Sequence, residues 1–323
     1  MVQSILLIIV GFILLIKGAD FLVDGASDIA KKFHIPEIII GLTVVSIGTS
    51  MPELFVSTTS AIQGHSDISI GNVVGSNVCN LLLILGLSTV IRPVFFKRET
   101  RLIEIPICLV FTIIFFIICN TTGNVITRPK ALILLILFII FIAYTIYMAK
   151  KGEKFDKEKQ NVEIKDKKSI KKINTPKSVL YIVLGIIALK FGGDFTVENA
   201  IIIARQLNIS EKIISLTIIA IGTSLPELIT SITAAVKGSS DIAIGNIIGS
   251  NIFNMLLIIG ISGLINPISY NTTYNIDMGI LLLGTVLLAV FPLIPPKDRM
   301  NRSNGIIYLL LYVTYLTIMF VVK

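Results

Sequence analysis

Two stretches of this chain are near-copies at a constant separation, and the duplication limits what the chain can become. Residues 48–54 read GTSMPEL and residues 222–228 read GTSLPEL. Residues 66–86, SDISIGNVVGSNVCNLLLILG, return at 240–260 as SDIAIGNIIGSNIFNMLLIIG. Both pairs are offset by 174 residues, and the same shift carries Asp20 onto Asp194 and Pro93 onto Pro267 without a gap. Self-similarity at a fixed offset marks a repeat architecture. Here the repeated unit is half the chain.

What the unit contains follows from its solvent. The 323 residues are 54% hydrophobic and only 15% charged, against about 25% charged in a soluble domain. Apolar runs of about 20 residues, each enough to cross a hydrocarbon core, recur along the whole length. Ten lie near 4–24, 36–62, 67–91, 103–119, 130–149, 178–200, 210–236, 241–265, 275–296 and 304–322. The first has no basic leader or small-residue cleavage site and reads as a span, not a signal peptide. In lipid every backbone polar group must be satisfied within the segment, so spans of this kind are helical. The expectation is an all-α membrane protein: a first half at 1–149, a linker at 150–177 and a second half at 178–323. An odd number of spans per half forces the second copy into the membrane upside down, giving two inverted five-helix repeats.

Charge sets the orientation. The linker holds eleven lysines against five acids, most of the formal net charge of +8. Basic loops stay on the cytoplasmic side, so the linker reads as inside and the N-terminus as outside. Lys31, Lys32, Arg92 to Arg101, Lys237 and Lys297 to Arg302 then fall inside too. Arg128, Lys130, Arg205 and Lys212 are the exceptions. The linker can also meet anionic headgroups. Phe155 is its one aromatic residue, so a nucleic-acid partner is not expected. The three cysteines lie in or at the ends of spans and suggest neither a disulfide framework nor a thiolate metal site.

The chemistry sits where the second span is interrupted. Pro52 has no amide hydrogen and clashes with the carbonyl of Gly48, loosening the carbonyls of Ile47, Gly48 and Thr49. Such carbonyls are tolerable at membrane depth only when buried in protein or lining a wet cavity. Beside them stand the hydroxyls of Thr49 and Ser50 and the carboxylate of Glu53, and the second copy offers Thr223, Ser224 and Glu227. A carboxylate at the bilayer centre costs about 2.5–3.5 kcal/mol on insertion scales. Two of them are best offset by a hard cation, and calcium takes 6–8 oxygen ligands. Sodium accepts similar oxygens with less formal charge. A Pro-kinked helix whose glutamate bonds to nearby backbone is the bland alternative for one copy; two symmetric copies argue against it. Corresponding interrupted helices of inverted repeats meet near the midplane, so helices 2, 3, 7 and 8 should form the central ion site.

The second motif combines close-packing glycines with asparagines. Gly71 and Gly75, and Gly245 and Gly249, have the GxxxG spacing that brings helix backbones together. Ser76 and Asn80 share a face at i and i+4, as do Ser250 and Asn254. Asn80 and Asn254 are the favoured ion ligands of this motif, with interhelical hydrogen bonding as the other reading. Asn72, Asn77, Asn246 and Asn251 point elsewhere and are read as bonding between helices.

With both motif pairs in register, the chain resembles the sodium/calcium exchanger family, prokaryotic branch, whose two repeats carry GTS-x-PE and GS-N-x-x-N/D signatures. The resemblance implies that Glu53 and Glu227 share calcium. It implies flanking sodium sites built by Thr49, Ser50, Ser76, Thr223, Ser224 and Ser250 with the carbonyls of Ser46 and Ala220. It further implies antiport in a cell (inner) membrane, with calcium and sodium as transported ions and no cofactor, no enzymatic activity and no obligatory protein partner. Potassium-dependent relatives carry aspartate where this chain has Asn254, so potassium independence is expected. A calcium/proton antiporter is the rival; that branch places a glutamate in the third-span motif, where this chain has Gly75-Ser76 and Gly249-Ser250. A channel would need a continuous polar pore, and an intramembrane hydrolase an HExxH or GxSxG motif that is absent here.

Overall fold

The computed structural model describes residues 2–121, 123–160, 174–207 and 220–322. Eleven helical segments carry the architecture: α1 Val2–Phe33, α2 Glu37–Thr49, α3 Met51–Ile62, α4 Ile68–Ile91, α5 Thr100–Asn120, α6 Arg128–Gln160, α7 Thr175–Gln206, α8 Leu225–Lys237, α9 Ser240–Ile265, α10 Asn275–Val290 and α11 Arg302–Val322. Among the described residues, seven of these are long and apolar enough to cross a membrane by themselves. The pair α2 and α3, bent by 50° at Ser50, makes an eighth crossing if counted as one broken span. The span expected at 210–236 begins in residues outside those described. The chain is thus a multi-pass integral membrane protein, and its α1 and α6 faces show what meets the lipid. Leu6, Ile9 and Ile13 on α1, and Ile139 and Ile140 on α6, turn large apolar surfaces outward.

Burial orders the helices in layers. In α9, 94% of the spanning window is inside the protein and in α4 72%, against 28% for α1, 22% for α6 and 28% for α7. The two helices that carry the GxxxG spacings are therefore the centre of the bundle. Glycine makes this closeness possible. A Cβ on Gly245 would lie 2.6 Å from the Ile38 carbonyl oxygen, and one on Gly249 2.7 Å from that of Leu42. Helix α2 therefore rests backbone-on-backbone against α9.

The halves interlock. Helix α7 is α1 displaced by 174 residues, and Gly11 meets Gly192, Gly18 meets Gly185 and Gly25 meets Ser178. Rising numbers on one helix meet falling numbers on the other, so α1 and α7 run antiparallel. Four short strands repeat the pattern at the two ends: β1 Val94–Phe95 pairs antiparallel with β4 Arg299–Met300, and β2 Val125–Ile126 with β3 Ile268–Ser269. Shifting β1 and β2 by 174 residues gives β3 and β4, and so turns one strand pair into the other.

Packing between equivalent helices is unequal. Leu15, Ala19 and Leu22 of α1 share one core cluster with Ala234 and Ala235 of α8. At the same end Lys237 reaches Asp24 at 2.7 Å and Asp20 at 3.1 Å. In the equivalent place, α7 and α3 border a cavity of ≈ 540 Å³ whose lining includes Met51, Phe55, Phe191, Asp194, Thr223 and Pro226. Lys97–Asp241 and Arg101–Asp298 ion pairs gather at the β1–β4 end with Arg92, whose guanidinium donates to the Val236 carbonyl.

The glycine contacts are testable. A Cβ on Gly185 would stand 2.7 Å from the Leu22 amide nitrogen, so Gly185→Val should cost about 1–3 kcal/mol through overpacking. Gly279 is the control, since a Cβ added there would meet nothing within 4 Å. Gly279→Ala should leave stability unchanged or raise it by up to about 1 kcal/mol, read as an equal or higher melting temperature in detergent.

Candidate ion-binding site

The break between α2 and α3 is a single residue. Ser50 leaves the helical region at φ −83° and ψ 10°, and Pro52 follows in the first turn of α3. Ser224 does the same before α8, with φ −89° and ψ 7°, followed by Pro226. Proline is tolerated in the first helical turn because its missing amide hydrogen has no intrahelical acceptor there. The helix restart therefore falls at the same place in each copy and turns Glu53 and Glu227 into the bundle. Both are buried, at 1% exposure.

The carboxylates are held by donors from the opposite copy. Ser50 Oγ donates to Glu227 Oε1 at 2.8 Å, and Ser224 Oγ donates to Glu53 Oε1 at 3.4 Å. Ser76 Oγ adds a bond to Glu53 Oε1 at 3.3 Å. Each glutamate's other oxygen, Oε2, is buried and has no hydrogen-bond partner among the described residues. The same holds for Asn80 Oδ1, Asn254 Oδ1 and Ser250 Oγ. Four of these five atoms are acceptors only. A buried acceptor without a donor costs free energy, and oxygens of this kind are the type that hard cations take as ligands.

A second layer fixes the first. Asn72 Nδ2 donates to Ser57 Oγ at 3.0 Å and to the Glu53 carbonyl at 3.3 Å. In the other copy Asn246 Nδ2 donates to Ser231 Oγ at 2.9 Å and to the Glu227 carbonyl at 3.5 Å. Asn246 Oδ1 also accepts from Thr49 Oγ1 at 3.0 Å. Further along, Asn77 and Asn251 join α4 to α9 through each other's main-chain carbonyls at 3.2 and 3.4 Å. Reading Asn72, Asn77, Asn246 and Asn251 as hydrogen-bonding residues between helices matches these contacts. Ser57 and Ser231 were not singled out from the sequence, although each lies one helical turn beyond its glutamate.

The remaining expected residues take mixed positions. The Ser46 carbonyl accepts from the Ser50 amide at 3.0 Å and from Thr49 Oγ1 at 3.4 Å, and Ser46 Oγ turns back to the Leu42 carbonyl. Thr223 is half-buried and lines the cavity beside α7 and α3. Ala220 opens the short helical turn Ala220–Gly222. Wide π-helical turns run over Cys79–Ile84 and Asn254–Ile258, and so include Asn80 and Asn254. Local π-turns of this kind recur at functional sites.

Fold and site together define a membrane carrier with a buried oxygen-lined site shared between two copies of one unit. The sequence profile described as sodium/calcium exchanger protein matches residues 3–147 and again 177–321, two stretches separated by the same 174 residues. The sodium/calcium exchanger MaX1 of Methanosarcina acetivorans is 33% identical over 348 aligned positions, covering 98% of each chain. The inner membrane protein YrbG of Escherichia coli (strain K12) is 34% identical, covering 90% of this chain and 89% of its own. Solved structures of the sodium-calcium exchanger NCX_Mj superpose with a TM-score of 0.83 at 30% identity, covering 98% of each chain. This chain belongs to the sodium/calcium exchanger protein family. The family is one of transporters, not enzymes.

The second layer carries a stability prediction. Asn246 is fully buried and bonds Thr49 and Ser231 at once, so Asn246→Leu takes the donor from Ser231 and leaves Thr49 only its 3.4 Å bond to the Ser46 carbonyl, at about 1–3 kcal/mol in all. Asn72 is only half-buried. Thermal unfolding in detergent should fall further for Asn246→Leu than for Asn72→Leu.

Proposed function

We propose that this protein exchanges sodium for calcium by alternating access, through a central site made by Glu53, Glu227 and the polar residues around them. The observation that carries the proposal is the crosswise hold on the two carboxylates, which leaves one oxygen of each, with Asn80 Oδ1 and Asn254 Oδ1, as unmatched buried acceptors. Two negative charges and two amide oxygens suit calcium, with Thr49, Ser50, Ser76, Thr223, Ser224, Ser250 and the carbonyls of Ser46 and Ala220 available to sodium. Neither state leaves the carboxylates bare, and that penalty favours exchange over leak. With asparagine at position 254 in place of a third carboxylate, no potassium is required.

The same reading makes the chain a ten-span protein of two inverted five-helix repeats, 1–149 and 178–323, joined by a cytoplasmic linker at 150–177, with the N-terminus outside the cell membrane. The antiparallel run of α1 against α7 and the exchanged strand pairs support inversion. Unequal packing supports alternating access: α1 against α8 closes the inner side, while the cavity beside α7 and α3 approaches Thr223 from the outer side. Calcium/proton exchange is the second reading, since buried glutamates can carry protons.

Radioactive calcium uptake into sodium-loaded liposomes, diluted into sodium-free medium without potassium, tests this. Uptake should require internal sodium and vanish in Glu227→Gln. Uptake driven equally by a proton gradient would replace sodium with protons, and a need for potassium would overturn the assignment of Asn254. Orientation has its own test, because the native cysteines 79, 108 and 119 are buried. In spheroplasts an impermeant maleimide should label Asn271→Cys at once and Ser303→Cys only after lysis; the reverse pattern would invert the topology.

A further inference from the structure

Four asparagines at the crossing of α4 and α9 are joined in a series of amide contacts, Asn80 to Asn251, Asn251 to Asn77 and Asn77 to Asn254, and the direction of each amide can be deduced. Asn77 Nδ2 faces the main-chain carbonyl of Asn251 at 3.2 Å, and Asn251 Nδ2 faces that of Asn77 at 3.4 Å. A main-chain carbonyl only accepts, so the nitrogen end of each side chain must point to it. The oxygen ends are then committed to the other side, where they need donors. Asn77 Oδ1 receives the Asn254 amide at 2.9 Å and Asn251 Oδ1 receives the Asn80 amide at 3.0 Å. All four side chains are at most 1% exposed, so water does not offer an alternative partner.

The consequence falls on the second pair. With their NH2 groups held by Asn251 and Asn77, Asn80 and Asn254 must present Oδ1 away from that pair, and these are two of the buried oxygens without a partner among the described residues. A free asparagine can turn either end toward its neighbours. Here the Asn77–Asn251 pair removes that choice. We propose that Asn77 and Asn251 are positioning residues that set the polarity of the ion site, each locking the asparagine of the opposite repeat with its oxygen toward the transported cation. The proposal rests on the Glu53–Glu227 site reading given above. It adds a pairing rule that crosses the repeats: Asn77 acts on Asn254, and Asn251 acts on Asn80.

Calcium titration calorimetry on the purified full-length protein in sodium-free detergent buffer tests the rule through double-mutant cycles. Asn254→Ala should weaken calcium binding about tenfold or more, and Asn77→Ala by about 10–100-fold, the range for groups that orient metal ligands. Combining Asn77→Ala with Asn254→Ala should weaken binding no further than the worse single change. Combining Asn77→Ala with Asn80→Ala should multiply the two losses. A purely structural role for Asn77 would give the same combination pattern with both partners. Multiplied losses for Asn77 with Asn254, or unchanged affinity in Asn77→Ala, would overturn the proposal. If the alanine chain does not purify as a single species, Asn77→Ser enters the same cycle with the same criteria. Glu227→Gln separates the two levels. Calcium binding that survives it would sink the site reading itself, whereas binding lost in Glu227→Gln with multiplied asparagine losses would sink only the positioning rule.

Discussion

Two carboxylates buried at the centre of a membrane protein are the constraint around which the rest is arranged. Neither Glu53 nor Glu227 has a basic partner in any ion pair among the described residues; their donors are serine hydroxyls, two of them reached from the other copy. A hydroxyl stabilises a carboxylate without neutralising it. No described side chain at the site supplies the counter-charge that a salt bridge would have given, so in the proposed exchange the transported cation provides it. The bends at Ser50 and Ser224, the prolines that follow and the asparagine layers all serve to place uncharged donors there.

Close helix contact is the second requirement, since polar groups must be delivered to the interior with little room for water. Gly245 and Gly249 let α2 lie against α9, and this approach brings Thr49 within reach of Asn246. The α1–α7 pair uses glycine at seven-residue intervals for a different end: two long helices, mostly facing outward, share a backbone contact along their length. Outward-facing isoleucines and leucines on those helices carry no specificity, and their large apolar surfaces belong to lipid.

Much of the layout was legible from two facts, the 174-residue offset and the length of the apolar runs. The motif glutamates, the serines beside them and the asparagine pairs were all identifiable, because a polar residue inside an apolar run must have a reason to be there. Ser57 and Ser231 escaped notice: a lone serine in a helix looks ordinary until its partner on another helix is known. The span beginning near residue 210 was legible as an apolar run, while its first part lies outside the described residues.

By itself, the sequence determined that the chain lives in a membrane, that it is a duplicated unit and that two proline-interrupted segments bring carboxylates to depth. Hydropathy and spacing carry that information because each is a property of one segment and its solvent. Only the tertiary structure decided which serine meets which glutamate, which end of each asparagine amide faces inward, and that the α1–α8 contact is packed while its counterpart borders a cavity. Most of those are relations between segments more than a hundred residues apart. A two-fold repeated sequence can prescribe equal parts but not unequal packing, because inequality between equivalent interfaces belongs to the particular conformation the whole bundle adopts.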